Sequence, residues 1–208
     1  MSLLPKGLLI LGFGGHARSV ADIALACGIQ QLRFVDFNAR PGESFLNFPV
    51  LNAWQTPLPE DWQVFPAAGD NVRRHQQCEE TLRQGWPLAI LVAPTATRGV
   101  GSHIAPGTLL AHHAHVGPMA SIGMGCIINT SAIVEHEATI GNCSHISIGA
   151  RVAGRSKIGS GVFIGAGATV IDGIHVADNV TLGAGGCAVH HLNQGGVYIG
   201  VPAKLKTS

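Results

Sequence analysis

From Ile104 to Ala188 an aliphatic residue falls on every sixth position without a slip: Ile104, Leu110, Val116, Ile122, Ile128, Val134, Ile140, Ile146, Val152, Ile158, Ile164, Val170, Val176, Leu182 and Ala188. Four residues after each comes mostly a small one, as at Ala114, Ala120, Cys126, Ala132, Ala138, Ser144, Ala150, Ser156, Ala168 and Gly186. A helix repeats every 3.6 residues and a simple strand every two, so neither makes this pattern. A hexapeptide repeat is the mark of a parallel β-helix. Each unit is one short strand and a corner, and three units close a triangular coil of about eighteen residues. The aliphatic and small residues point inward and stack on their copies in the coils above and below. Cys126 sits in an inward small-residue slot, which reads as packing rather than reactivity.

The first part of the chain has a different character. Leu8-Leu9-Ile10-Leu11 reads as a buried strand, and Gly12-Phe13-Gly14-Gly15-His16 as a glycine-rich turn. Ala17 to Cys27 suits a helix ended by Gly28. Further strands are expected at Leu32 to Val35, Val64 to Ala67 and Leu88 to Val92, with a polar helix from Asn71 to Gln84. Alternating strands and helices imply a small parallel α/β sheet of Rossmann-like type. Pro41, Pro49, Pro57 and Pro59 mark an irregular stretch, and Pro94 to His103 reads as the junction to the solenoid. After residue 193 the hexads stop and a tail follows. The expected domains are 1–93, Rossmann-like, and 94–208, the all-β helix of hexapeptide repeats.

The net charge of +1 gives no electrostatic case for binding nucleic acid or a membrane surface. Five cysteines without metal-like spacing suit reduced thiols in a cytoplasmic protein. The apolar run near the start is too short for a signal peptide or a membrane span. The weakly charged faces of the solenoid are expected to be covered by other copies of the chain, in a closed trimer.

Two clusters can carry chemistry. Glycines at 12, 14 and 15 let backbone approach a phosphate at a helix N-terminus, and Asp36 and Gly69-Asp70-Asn71 would line the same sheet edge. The alternative is a tight turn that binds nothing. In the second cluster, Glu135-His136-Glu137, His136 lies two residues past an inward position and so points out of the coil. A flanking carboxylate fixes the tautomer of an imidazole and suits it to act as a base. On an eighteen-residue coil, Pro118 and Gly154 stack on His136, and the glycine is expected to leave a groove with an exposed N–H for an oxyanion. His112, His113 and His115 form another cluster and His190-His191 a further one. No acid or cysteine accompanies them, so no metal site is expected.

Together these residues resemble the nucleotide-sugar branch of the hexapeptide acyltransferases, the sialic acid O-acetyltransferase and sugar N-acetyltransferase family. The resemblance runs through Gly12 to Ala17, Ala68 to Asn71 with Arg73, Ile128 to Ile146, and Gly200 to Lys204, and so spans nearly the whole chain. The middle stretch is especially similar to the UDP-4-amino-sugar N-acetyltransferases of bacillosamine synthesis. The resemblance implies a left-handed coil, against the usual crossover hand. It also implies a homotrimer with active sites between subunits. By matched position, His136 would be the general base and Glu137 the acid that raises its basicity. Gly14, Gly15, His16, Asp36 and Gly69 would hold the nucleotide, and Asn129 would lie in the acceptor pocket. His145, Gly154, Ala166 and Ala184 would line the acetyl-CoA groove. Phe37 stands where those enzymes carry a second acid, which opens the choice of nucleotide among UDP, dTDP, GDP and CMP.

The expected function is therefore acetyl-CoA-dependent, metal-free N-acetylation of the 4-amino group of a nucleotide-linked sugar. O-acetylation of a sugar hydroxyl is the nearest alternative, separable by acceptor screening. A zinc-dependent hydratase would need histidines meeting across an interface, and a non-catalytic scaffold would need neither the His136–Glu137 pair nor the glycine turn.

Overall fold

The structure, a computed structural model, describes residues 4–53 and 56–206. The chain divides into two compact units, Met1–Leu91 and Val92–Ser208.

The first unit is a sheet with the order β3-β4-β2-β1-β5. Its strands are β1 (Gly7–Leu11), β2 (Gln31–Val35), β3 (Ser44–Phe45), β4 (Phe48–Leu51) and β5 (Trp62–Pro66). β1 is parallel to β2 and β5, and every residue of β1 is buried, as a central parallel strand requires. Helix α1 (Gly15–Ala26) buries Ala17, Val20, Ala21, Ile23 and Ala24. It stops at Gly28, whose φ of 93° lets its N–H reach Leu25 O while the Ile29 N–H reaches Ala24 O. Helix α2 (Asn71–Arg83) starts at Asp70, whose side chain accepts from the Arg73 N–H at 2.8 Å.

Two expectations for this unit need correction. The proline-marked stretch carries β3 and β4: Val50 N–H donates to Glu43 O and Asp36 N–H to Leu51 O, so β4 extends the sheet. Prolines hid the strand because Pro49 cannot donate to a ladder. The strand expected at Leu88 to Val92 joins this sheet only as a single bridge, Leu88 to Val64.

The second unit is a parallel β-solenoid of two-residue rungs in three sheets. Rungs pair eighteen residues apart, as in His115↔Ile133, Ser121↔Thr139 and Ile127↔His145. Val116, Ile122, Ile128, Val134, Ile146 and Val152 are fully buried along the axis, with Ala120, Ala132 and Ala138 at the corners. The corner slot of Thr108, Cys126 and Ser144 has its own device. Each side chain donates to a carbonyl one coil on: Thr108 to Gly123 O, the Cys126 thiol to Gly141 O, and Ser144 to Gly159 O. A polar atom thus enters the core without being left unpaired.

The solenoid starts earlier and ends later than the aliphatic series. Ala93 N–H donates to Leu110 O, and Thr97–Arg98 pairs with His115–Val116. The stretch from Pro94 to His103, read as a junction, is coil. Arg98 breaks the aliphatic series where the backbone ladder continues. The tail also belongs to the coil: Gly196–Ile199 runs parallel to Val180–Leu182, with Tyr198 turned into the core.

The faces differ in chemistry. Outward rung positions of one sheet hold Leu109, Ile127, His145, Phe163 and Thr181, and those of another hold His103, Ser121, Thr139, Lys157 and His175. Apolar character therefore belongs to one face and not to all three.

Candidate active site

The first cluster gathers where β1 runs into α1. Gly12 takes a φ of 106°, a conformation for which glycine is suited. Gly14 and Gly15 are different. Neither has a positive φ, and a side-chain carbon at either would meet nothing within 4 Å. Neither backbone nor packing asks for glycine there, and what the two glycines leave is open space at the N-terminus of α1. No side chain caps that end by a hydrogen bond, so its N–H groups face a cleft of about 290 Å³. The cleft is lined by Gly14, Gly15, His16, Asp36, Gly69 and Arg73 among others. A neighbouring hollow of about 400 Å³ shares Asp36 and Arg73 and adds Phe37, Gln76 and Glu80.

Asp36 does more than the sequence suggested. Its two oxygens accept from the Phe13 N–H and the Asn38 N–H, each at 3.0 Å, which braces the glycine turn against the end of β2. On the other wall, buried Arg74 donates to the carbonyls of Ala68 and Gly69, and Gln77 bridges the Leu11 carbonyl and the Ala68 N–H. These α2 residues were not singled out in the sequence. Only their spacing of three along a helix hints that they share a face.

His16 lies between these walls. Burial, with help from the Arg74 charge, lowers its pKa from 6.5 to about 4. An unfolded chain takes up that proton near pH 6.5, and the folded chain resists until about pH 4. Between those values the unfolded state binds more protons, so stability falls as the pH drops from 6.5 to 4, with no such loss above 6.5. Urea denaturation across this range should show a steeper decline for the native chain than for His16→Gln; parallel curves would sink the assignment.

The second cluster lies on one corner of the solenoid. Glu137 N–H donates to Pro118 O, Arg155 N–H to His136 O, and Gly173 N–H to Gly154 O, so the turns stack as the eighteen-residue count requires. His136 is half-exposed, and its Nδ1 lies 3.1 Å from Glu137 Oε2. A carboxylate there fixes the proton on Nδ1 and leaves the Nε2 lone pair to accept. Glu137 sits at a φ of 58°. A side-chain carbon on Gly154 would lie 2.5 Å from both His136 Cε1 and Nε2, so the glycine leaves the room that the ring occupies over the next coil. The open groove expected beside Gly154 is filled: Gly154 is buried, and the imidazole covers the space that the missing side chain leaves.

Asn129 and His145 form a third group. Asn129 Oδ1 accepts from the Thr130 N–H, which turns its Nδ2 toward His145 Nε2 at 3.0 Å. An amide nitrogen only donates, so His145 accepts at Nε2 and carries its proton on Nδ1. Its ring is buried and stands edge-on to Phe163, with centroids 5.1 Å apart. Ala166 and Ala184 follow Ile148 up the next corner, Gly167 N–H bonding Ile148 O and Gly185 N–H bonding Ala166 O. One chain therefore brings His136, Glu137 and Gly154 together and pairs Asn129 with His145, but places Ala166 and Ala184 on a different corner from His136. His112 and His115 bond Thr95 and Thr97 through Nδ1. Among the described residues no three His, Cys, Asp or Glu side chains gather as a metal site would need.

Residues 7–81 match the family model of the PglD N-terminal domain. The acetyltransferase domain of PglB from Neisseria gonorrhoeae is 32% identical, with 97% of this chain and all of that one aligned and a TM-score of 0.90. The chain belongs to the nucleotide-sugar acetyltransferase family. The same domain solved with acetyl coenzyme A gives a TM-score of 0.89 at 32% identity, over 97% of this chain and 100% of that one. A histidine-to-alanine variant of the GDP-perosamine N-acetyltransferase of Caulobacter crescentus, bound to CoA and GDP-perosamine, is 28% identical over 97% of each chain, with a TM-score of 0.88. No curated relative matches the chain. The acetyltransferase is thus an enzyme of the sugar N-acetyltransferase kind with acetyl-CoA as co-substrate. Among its described residues no helix is long and apolar enough to cross a membrane.

Proposed function

We propose that the enzyme transfers the acetyl group of acetyl-CoA to the 4-amino group of a nucleotide-linked amino sugar, with His136 as the general base. The observation that carries this reading is the His136–Glu137 dyad laid over Gly154. The GDP-perosamine bound to the Caulobacter enzyme supports a nucleotide-linked amino sugar as acceptor. UDP is the first nucleotide to test, then GDP, dTDP and CMP.

The amine nitrogen attacks the thioester carbon while a proton passes from nitrogen to His136 Nε2. The tetrahedral adduct then breaks its C–S bond. The imidazolium returns the proton to the departing sulfur, giving the amide and free CoA thiol. Glu137 holds the Nδ1 proton throughout and steadies the transient cation. No side chain is assigned as an acyl-accepting nucleophile, so transfer is direct within a ternary complex. The first unit holds the nucleotide through Gly14, Gly15, His16, Asp36 and Gly69, and Asn129 lies in the acceptor pocket. His145, Ala166 and Ala184 serve acetyl-CoA from a neighbouring copy in a homotrimer.

A thiol-release assay with acetyl-CoA and a panel of UDP-, GDP- and dTDP-4-amino sugars, beside CMP-sialic acid and free sialic acid, tests the reading. Turnover with a 4-amino sugar supports it, and turnover only with a sialic acid replaces it by O-acetylation. Gly15→Val tests the nucleotide site separately. The first carbon of the new side chain meets no protein atom within 4 Å, so the chain should fold normally. It would fill the space above the α1 N-terminus and raise KM for the sugar nucleotide about tenfold or more, a loss of roughly 1.4 kcal/mol. The KM for acetyl-CoA should not change. Equal effects on both substrates would contradict the placement.

A further inference from the structure

The inference rests on the reading of His136 as the base. Glu137 and Arg155 occupy the same turn position in successive coils, at φ of 58° and 56°, and Gly173 follows in the next coil at 69°. Glycine holds such a conformation more cheaply than a residue with a side chain. Two oppositely charged side chains are thus kept one coil apart, next to the imidazole. Arg155 nevertheless turns to Asp172, Nη2 to Oδ2 at 2.5 Å, while Glu137 stays on His136 Nδ1. The Arg155 cation is favoured first by its hydrogen bond and charge contact with Asp172, and also by the charge of Glu137. The other oxygen of Asp172 and the ring both border the space over Gly154. The position of a side-chain carbon on Gly154 lies 2.5 Å from His136 Nε2 and 3.1 Å from Asp172 Oδ1.

We propose that Asp172 is a positioning residue of the dyad: by holding Arg155 it keeps that guanidinium from pairing with Glu137, so that Glu137 remains on the imidazole. Among the described residues, the charged groups next to His136 on its own and the following coils are Glu135, Glu137, Arg155 and Asp172, and the same turn of the coil before holds Pro118 and Met119, which carry no charge. Arg155 and Asp172 are each about half-exposed, so losing the pair should leave stability almost unchanged.

The test follows the His136 Cε1–H resonance by NMR across pH in the full chain, assigned by its loss in His136→Asn, alongside kcat for acetyl transfer. Asp172→Asn releases Arg155 onto Glu137. The titration midpoint of His136 should fall by about half a unit to one unit, because the imidazolium loses its carboxylate and gains a cation nearby, and kcat should fall several-fold. Arg155→Gln should move the midpoint the other way. In the Arg155→Gln background, Asp172→Asn should produce a clearly smaller shift, since there is no guanidinium left to release. Unmoved midpoints, shifts of the same sign in both single variants, or an equal Asp172→Asn shift in both backgrounds overturns the proposal. A wild-type chain without transferase activity, or His136→Ala as fast as wild type, would instead remove the catalytic reading beneath it.

Discussion

His136→Ala is expected to lower kcat for acetyl transfer by about 10²–10⁴-fold, the range of general-base assistance, and to leave the chain folded. The imidazole is half-exposed and stands outside the coil, while the inward residues of its own rung and corner, Val134 and Ala138, are fully buried and untouched by the change. KM for acetyl-CoA should move little, because a base that acts on the amine contributes to the transition state and not to thioester binding. Glu137→Gln should give a smaller loss. The amide can still accept from Nδ1–H but brings no charge to meet the imidazolium. Steady-state kinetics with circular dichroism on the same samples separates the outcomes. An unchanged kcat removes His136 from the chemistry, and a lost β signal makes it structural.

Gly154→Ala is expected to lower kcat by roughly 10²-fold, the scale of loss when a reacting group is misplaced by about an ångström. The added carbon would fall 2.5 Å from two ring atoms of His136, closer than carbon atoms tolerate. Backbone conformation is no obstacle, as Gly154 has no positive φ. The half-exposed imidazole can therefore swing outward, and the coil should survive. Nε2 then leaves its place over the next turn, and the hydrogen bond to Glu137 is strained or lost. This variant keeps every titratable group of the site, so a large fall in kcat would show that ring placement matters. Kinetics indistinguishable from wild type would mean that the ring moves freely and Gly154 has no part in aiming it.

The solenoid was legible because its signal is arithmetic. Ile104 to Ala188 keeps one period, and the same count of eighteen correctly stacks Pro118, His136 and Gly154. Carried one coil further, that count would also have found Arg155 above Glu137 and Asp172 above Gly154. The ends were less legible. Arg98 interrupts the aliphatic series but not the ladder, and Gly196 pairs with Val180 at a spacing of sixteen instead of eighteen. In the α/β unit, β1, β2, α1 and α2 follow from apolar runs and glycine stops. Pro49 masked β4, because a proline in a run argues locally against the strand that tertiary pairing makes. At the site, the sequence named Asp36 but not the hydrogen bond it accepts from the Phe13 N–H of the glycine turn. It placed a glycine beside His136 but took the space to be open when the ring fills it. Side-chain direction decides both points, and residue order alone does not carry it.

The turn that bears His136 draws its neighbours from successive coils, and this sets a fixed step size on the site. Adjacent strands lie about 4.8 Å apart, so groups on one corner are spaced in multiples of that length, like marks on a ruler. Substitution can change which group stands at each mark but cannot slide it between marks. Loss of a single hexad would be harsher: everything downstream would rotate by one face. Arg155 and Asp172 would arrive at a different corner while the interior, built from interchangeable six-residue units, could still close. In such a molecule the integrity of the coil and the alignment of the site can be inherited separately.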